Sequence, residues 1–300
     1  MKHSLTLGPI LFNWQPETWR DFYYQVADEA PVSDVYIGEV VCSKRQPFIE
    51  PHIEAVAARL KKGGKKVIFS SLALVMNKRE SGLTADLSQQ DDELVEANDM
   101  SALLHLSGKP HVIGPFINVY HEATLAHFAK LGAVRFCLPQ ELPATSLKIM
   151  AAAAKKHGAE AEVQVYGRAP LALSGRCYHA RIHHMSKDSC QYTCAEDPDG
   201  LALKTLDGKQ FLAVNGVQTL SHSYLNLVQN LDDMKKMGIA RFRLSPQTQN
   251  MLKVINTFDL ALRNKIESKE AQKKLEKLLP TVDFSNGFYN QEAGHMWQRA

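Results

Sequence analysis

The chain repeats one pattern of polar and apolar positions. A run with helical spacing of apolar residues ends in a turn rich in lysine and glycine, and a run of β-branched and aromatic residues follows. Lysine favours the negative end of a helix, and glycine supplies the left-handed residue that terminates it. Helices and strands that alternate in this way form parallel sheets with crossover helices. The clearest copies read KKGGKKVIFSS, AKLGAVRFCL, KKHGAEAEVQVY and KKMGIARFRLS.

The pattern predicts six or seven strands and the helices between them. The strands are predicted at residues 5–12, 34–40, 66–72, 111–119, 134–138, 162–166 and 241–244. The helices are predicted at residues 16–30, 53–62, 91–106, 122–130, 143–156 and 223–237. This order indicates an α/β fold, a TIM-barrel-like (β/α) barrel that is incomplete if one strand is lost. A doubly wound sheet is the alternative, and the lack of a glycine-rich phosphate loop after the first strand favours the barrel.

One segment interrupts this rhythm. Residues 167–216, after the sixth predicted strand, contain three of the five cysteines, a group of histidines and a hairpin signal at Asp207-Gly208. We interpret them as an insertion at the carboxyl end of a strand, where barrels carry their chemistry. The remaining chain is expected to form a single barrel-like domain over residues 1–300, with a charged amphipathic helical tail over residues 265–300.

Composition excludes several classes of protein. Of the 300 residues, 45% are hydrophobic and the net charge is only +3, which does not fit a disordered chain or a strongly basic nucleic-acid binder. The longest apolar run, VIFSSLALVM, is about half the length that a membrane span requires. The N-terminal residues lack the pattern of a signal peptide, so we expect a cytoplasmic protein whose cysteines are not disulfide-bonded.

The cysteines suggest a metal site. Cys177, Cys190 and Cys194 lie in the insertion, and Cys42 follows the second predicted strand, so parallel strands would place all four at the same end of the barrel. Four thiolates bind either an iron–sulfur cluster or a structural zinc ion, and four independent buried thiols are the simpler alternative. Cys137 lies in the middle of a strand and is expected to be a buried core thiol.

Other polar residues are weaker candidates. His179, His183 and His184 lie among the cysteines and could replace a thiolate as ligand or act as polar residues of the loop. Glu39 and Glu141 follow predicted strands and are candidates for carboxylates in a pocket at the barrel mouth. The sequence lacks the zinc-protease, serine-hydrolase, P-loop and dinucleotide-binding motifs, which removes these enzyme classes from first consideration.

Five further motifs stand out along the chain: GEVVCSKR, RFCLPQEL, VYGRAPLALSGRCYHAR, LAVNGVQTLS and RFRLSPQ. Together they resemble the collagenase-like peptidase family, over nearly the whole chain. Within that family they are most similar to a bacterial subgroup that acts in ubiquinone biosynthesis.

The resemblance implies a [4Fe-4S] cluster held by Cys42, Cys177, Cys190 and Cys194. It also implies a heterodimer with a UbiU-like paralogue, and a UbiT-like lipid-binding protein in the same pathway. The implied activity is oxygen-independent hydroxylation of the aromatic ring of ubiquinone precursors during anaerobic growth. Two alternatives stay open: a peptidase or peptide-binding barrel, and a non-enzymatic subunit with a structural zinc. Because no protease constellation is recognisable, we do not predict proteolysis.

Overall fold

Eight parallel strands close into a barrel, which we describe from a computed structural model of residues 3–89 and 93–298. The strands in chain order are β1 (Ser4–Leu7), β2 (Asp34–Ile37), β3 (Lys66–Ser70), β4 (Leu94–Ala97), β5 (His111–Ile113), β6 (Ala133–Leu138), β7 (Glu160–Leu173), β8 (Leu201–Lys204), β9 (Gln210–Asn215), β10 (Gln218–Asn226), β11 (Arg241–Leu244) and β12 (Phe284–Ser285). Strands β1–β7 and β11 form the barrel, which closes because β11 pairs in parallel with both β1 and β7. The predicted TIM-barrel-like fold is confirmed, and all eight strands are present.

The helices pack their apolar faces onto this barrel. They are α1 (Pro16–Glu29), α2 (Gln46–Lys62), α3 (Lys78–Leu87), α4 (Met100–Leu106), α5 (Glu122–Lys130), α6 (Ala144–Lys156), α7 (Tyr178–Ile182), α8 (Leu231–Met237), α9 (Met251–Leu262) and α10 (Ser268–Leu278). Proline is tolerated in the first helical turn, and α1 begins at Pro16. Helix α8 ends at Gly238 with φ of 94°, the left-handed residue that the lysine-glycine pattern predicts. The repeated pattern therefore marks real helix–strand junctions.

The predicted helix over residues 91–106 is wrong in its first half. Leu94–Ala97 form β4, and the helix begins only at Met100; Asp91 and Asp92 lie outside the described residues. The sequence before β4 is acidic and has no lysine-glycine turn, and β4 itself contains Glu96. That carboxylate is 1% exposed and lies 2.7 Å from the guanidinium of Arg243 in the barrel interior. Because a charged residue inside a barrel breaks the apolar run of a buried strand, the pattern alone did not reveal this strand.

The insertion extends the barrel sheet outwards. Strand β7 continues beyond the barrel to Leu173 and pairs antiparallel with β10, which pairs with β9, and β9 pairs with β8. The turn between β8 and β9 contains Gly208 with φ of 82°, as the Asp-Gly hairpin signal indicates. Helix α7 and the loop up to residue 200 lie between β7 and β8 and contain three cysteines.

The barrel interior contains charged side chains. Glu162 on β7 is fully buried and accepts hydrogen bonds from Tyr36 Oη at 2.6 Å and from Arg243 Nη2 at 3.0 Å. It also accepts a short hydrogen bond from the Thr6 hydroxyl. Arg243 lies above the ring of Tyr36, 4.0 Å from the ring centroid. Arg243 on β11 also pairs with Glu96 on β4, so strands that are not neighbours in the barrel are joined by a buried ionic contact.

After the barrel closes, the chain adds α9 and α10. Residues 265–300, predicted to be an amphipathic helical tail, contain α10, which buries Ala271 and Leu275 and leaves its lysines towards solvent. The described residues after Leu278 are not helical and include β12, so the predicted helical tail is too long. Across residues 3–89 and 93–298, no helix is both long enough and apolar enough to cross a bilayer.

Candidate metal centre

Four of the five cysteines line one small cavity at the carboxyl end of the barrel strands. Cys42 comes from the loop between β2 and α2, and Cys177 lies directly before α7. Cys190 and Cys194 come from the loop between α7 and β8. The structure therefore brings together the four cysteines that the sequence analysis grouped, while Cys137 lies on β6, apart from this cavity. Their role as metal ligands stays a prediction.

Local backbone geometry positions three of the four cysteines. The carboxylate of Glu39 accepts hydrogen bonds from the backbone N–H groups of Val41 at 2.8 Å and of Cys42 at 2.9 Å. Cys177 caps the N-terminus of α7, with its Sγ accepting from the backbone N–H of Ala180 at 3.4 Å. The chain bends before Cys194 because Gln191 and Tyr192 both have positive φ values, 47° and 57°.

Hydrogen-bond donors and positive charge surround the sulfur atoms. Asn13 donates from its side-chain amide to Cys194 Sγ at 3.4 Å. Arg45 is 2% exposed, and its charge acts on both Cys42 and Cys194. Lys44 and Lys187 also line the cavity. Donors and cations of this kind stabilise thiolates and the negatively charged centres that thiolates bind.

Burial favours the neutral form of two of the thiols, Cys42 and Cys177. Burial raises the pKa of Cys42, and the positive charge of Arg45 opposes this effect only in part. Burial also raises the pKa of Cys177, opposed by the backbone hydrogen bond from Ala180. Metal ligation requires the thiolate form, so binding at this cavity would release protons.

The spacing of the sulfur atoms bears on a zinc site. Among the described residues, no three thiol sulfurs all lie within 4.8 Å of one another. Zn–S bonds of about 2.3 Å would place the sulfurs of a tetrahedral zinc site roughly 3.8 Å apart. The thiols are therefore not arranged as a preformed zinc site, while four thiols are the donor set that a [4Fe-4S] cluster uses.

Cys137 has a different environment. It is 2% exposed, which confirms the predicted burial, but its neighbours include the charged groups Arg243, Glu162 and Glu96 of the barrel interior. Burial raises its pKa far above the ordinary range for a thiol, opposed by Arg243.

We expect Cys137 to resist alkylation in the native protein. The thiolate is the reactive form, and Cys137 is both neutral and inaccessible. Mass spectrometry after a short treatment with iodoacetamide, without metal, should show modification of Cys42 and Cys190, which are partly exposed. Modification of Cys137 should appear only after unfolding; equal labelling of Cys137 and Cys190 in the native state would contradict this assignment.

The three histidines differ in their surroundings. His179 is fully buried and lines the thiol cavity, and its ring stacks on that of His183 with centroids 5.6 Å apart. His179 Nε2 lies 3.0 Å from a carboxylate oxygen of Asp197. Burial lowers the pKa of His179, and Asp197 opposes this effect. His184 is exposed, and its backbone is in the left-handed region with φ of 57°.

A second small cavity, apart from the thiol cavity, lies at the mouth of the barrel. Neither of the two candidate carboxylates lines it. Glu39 supports the Cys42 loop and lines a groove between α2 and α3 instead. Glu141 accepts a short hydrogen bond from Tyr120 on an exposed part of the surface. The mouth cavity is lined by residues that the sequence analysis did not select, among them Glu96, Gln164, Arg243 and Ser245.

Sequence reasoning also missed Asn13, Arg45 and Asp197. Arg45 follows Cys42 by three residues, so its place in the same loop was a usable signal. The contacts of Asn13 and Asp197 depend on how distant loops pack, for which the sequence carries no local signal.

Comparison with known proteins gives a family and a distant structural match. A model of peptidase family U32 matches residues 14–299. A solved structure, described as the crystal structure of an uncharacterized B. cereus protein, is 14% identical with a TM-score of 0.42. The match covers 93% of this chain and 65% of that one, so the chain spans less than two thirds of that protein.

Proposed function

The chain belongs to peptidase family U32, and from that premise we propose that it is a UbiV-like iron–sulfur subunit of an oxygen-independent hydroxylase. In this proposal Cys42, Cys177, Cys190 and Cys194 bind a [4Fe-4S] cluster. The substrate is a ubiquinone precursor, whose aromatic ring gains a hydroxyl group without O2. The protein works in the cytoplasm as a heterodimer with a UbiU-like paralogue, in a pathway that includes a UbiT-like lipid-binding protein.

The observation that supports the cluster is the convergence of four thiols from three separate places in the chain on one cavity. Thiolates are the characteristic ligands of iron–sulfur clusters, and the surrounding N–H donors and cations are the groups that tune such centres. When bound, the cluster would supply one-electron chemistry, since four thiolates leave no iron free for substrate.

The protein residues have separate parts in this proposal. Arg45 and the backbone N–H of Ala180 would offset the negative charge of the thiolates, and Glu39 would hold the Cys42 loop in its ligating conformation. Hydroxylation without O2 requires an oxygen donor and an acceptor for electrons. The aromatic ring and the ubiquinone role are supported by the resemblance of the cysteine motifs to the UbiV-like subgroup.

Metal analysis after anaerobic purification tests the proposal. We expect about four iron and four sulfide per chain from the ligand count and a brown protein. Cys177→Ala and Cys190→Ala should each lose most of the iron and sulfide. Cys137→Ala is the matched control, because it removes a buried thiol that lies outside the cavity, and it should keep the cluster.

The same measurement separates the alternatives. If the purified protein contains zinc but no sulfide, and Cys177→Ala loses that zinc, the cysteines bind a structural zinc ion and not a cluster. Full iron and sulfide in the Cys177→Ala, Cys190→Ala double variant would refute the ligand assignment. Hydrolysis of a peptide library by the metal-free protein would favour the peptidase function instead.

A further inference from the structure

Beside the thiol cavity, three side chains form a second group of metal-ligand type. His179 and His183 are one helical turn apart on the segment that begins with α7, so both project from the same face. Asp197 reaches them from the turn that follows Cys194. One potential ligand atom from each of the three residues lies within 4.8 Å of those of the other two. Among the described residues, this is the one group of three or more such side chains with that spacing.

Two buried ring nitrogens of this group lack a partner. His179 has no exposed surface; its Nε2 lies 3.0 Å from a carboxylate oxygen of Asp197 in an ion-pair contact, while its Nδ1 has no hydrogen-bond partner. The buried Nε2 of His183 has none either. Buried polar groups are nearly always satisfied, and leaving one without a partner costs about 1–3 kcal/mol. A bound ion would supply the missing partner to the imidazoles.

We propose that His179, His183 and Asp197 bind one divalent first-row transition-metal ion, separate from the group bound by the four cysteines. Two imidazoles and one carboxylate suit Zn²⁺, Fe²⁺ or Co²⁺ and leave at least one coordination position for water. The inference uses none of the cysteines as ligands and does not depend on the proposed cluster.

An ion at this position would also affect the geometry of the neighbouring thiol cavity. Cys177 precedes His179 by two residues, and Cys194 precedes Asp197 by three. An ion held by these residues would join the start of α7 to the turn after Cys194. It would therefore fix the distance between two thiols of the neighbouring cavity, and we expect its loss to loosen that cavity.

Cobalt binding tests the site. The probe is Co²⁺ added under anaerobic conditions to the full-length protein in which Cys42, Cys177, Cys190 and Cys194 are replaced by Ser. We expect one equivalent to bind, with visible d–d absorption and no sulfur-to-cobalt charge-transfer band. Adding His183→Ala or Asp197→Asn should abolish saturable binding. Adding His184→Ala or Glu196→Gln, which change an exposed imidazole and an exposed carboxylate next to the site residues, should leave binding intact.

The result that overturns the proposal is either no cobalt binding by the four-serine variant in its folded state or equal binding after His183→Ala and His184→Ala. If the four-serine variant does not fold, the anaerobically purified native protein replaces it. That protein should take up one equivalent of Co²⁺ beyond its iron, and His183→Ala, but not His184→Ala, should remove it. Failure to take up this equivalent refutes the site, whatever the iron and sulfide content shows about the cluster.

Discussion

We expect Arg243→Met to lower the free energy of unfolding by about 3–5 kcal/mol at neutral pH, because it removes the cation from a buried ionic network. Arg243 donates to Glu162 at 3.0 Å and lies 2.7 Å from Glu96, and all three side chains are almost fully buried. The substitution keeps most of the apolar volume but leaves two buried carboxylates with less compensation. Urea unfolding followed by circular dichroism measures the difference.

The control is Arg263→Met, which removes an arginine that pairs with a carboxylate at the surface. Arg263 pairs with Asp259 at 2.8 Å on α9, and its side chain is 62% exposed. Exposed pairs contribute about 0–1 kcal/mol, so Arg263→Met should change stability little. Combining Arg243→Met with Glu162→Gln and Glu96→Gln should recover part of the loss, because buried charges are then removed together. Equal effects of Arg243→Met and Arg263→Met would show that the network is not important to stability.

The effect of Arg243→Met should depend on pH in a defined direction. Burial alone would raise the pKa of Glu162, but Arg243 and Arg135 outweigh it and lower this pKa from 4.5 to about 2. A carboxylate with a lowered pKa contributes its stabilisation above the unfolded value and loses it as the pH falls through the folded value. The difference between wild type and Arg243→Met should therefore narrow between pH 4.5 and pH 2. A constant difference over that range would contradict the assignment to Glu162.

The same network explains where sequence analysis succeeded and where it did not. Seven of the eight barrel strands follow from local patterns, because most come after a helix that ends with lysine and glycine. In RFRL the apolar Phe242 and Leu244 alternate with Arg241 and Arg243, which is typical of a strand with one face in solvent. In this barrel the second face is the interior, and Arg243 is buried there. Whether a charged residue faces solvent or a buried partner depends on strands distant in sequence.

At the candidate metal centre, too, the sequence predicted some features and not others. The barrel topology was sufficient to predict that Cys42 approaches the cysteines of the insertion, since loops after parallel strands meet at one end. The supporting contacts are not local: Asn13 to Cys194 and Arg45 to Asn215 join residues more than 160 positions apart. The carboxylates Glu39 and Glu141 were selected by the same topological rule, but the rule gives only the end of a strand. It does not give the direction in which a side chain points.

The second large effect is expected from substitution of Arg45, which should weaken metal binding in the thiol cavity. Its guanidinium donates to the backbone carbonyl of Leu11 at 3.0 Å and to Asn215 Oδ1 at 2.9 Å. Gly216, with φ of 63°, lets the turn between β9 and β10 approach so closely that a Cβ there would lie 2.6 Å from Arg45 Nη2. The cation is thus held by two separate parts of the chain, the Leu11 segment and the β9–β10 turn, beside Cys42 and Cys194.

With the proposed cluster in the thiol cavity, we expect Arg45→Met to lower metal affinity about 10- to 100-fold, the range found for residues that support metal ligands, and so to release the cluster faster than wild type. The substitution removes the positive charge that offsets the thiolates and leaves the Leu11 carbonyl and the Asn215 amide oxygen with fewer donors. The measurement is the rate at which iron and sulfide are released from the anaerobically purified protein in the presence of a chelator.

Two further variants separate the effect of the positive charge of Arg45 from the effect of its hydrogen bonds. Arg181→Met is the matched control, since Arg181 is an exposed arginine on α7 that stacks on Tyr178, and it should release metal at the wild-type rate. Arg45→Lys keeps the charge but cannot make both hydrogen bonds through a planar fork, so its release rate should be intermediate. Equal rates for Arg45→Lys and Arg45→Met would assign the effect to the hydrogen bonds. Equal rates for Arg45→Met and Arg181→Met would show that the buried cation does not support the thiolates, and that the burial of Arg45 serves the packing of the β9–β10 turn alone.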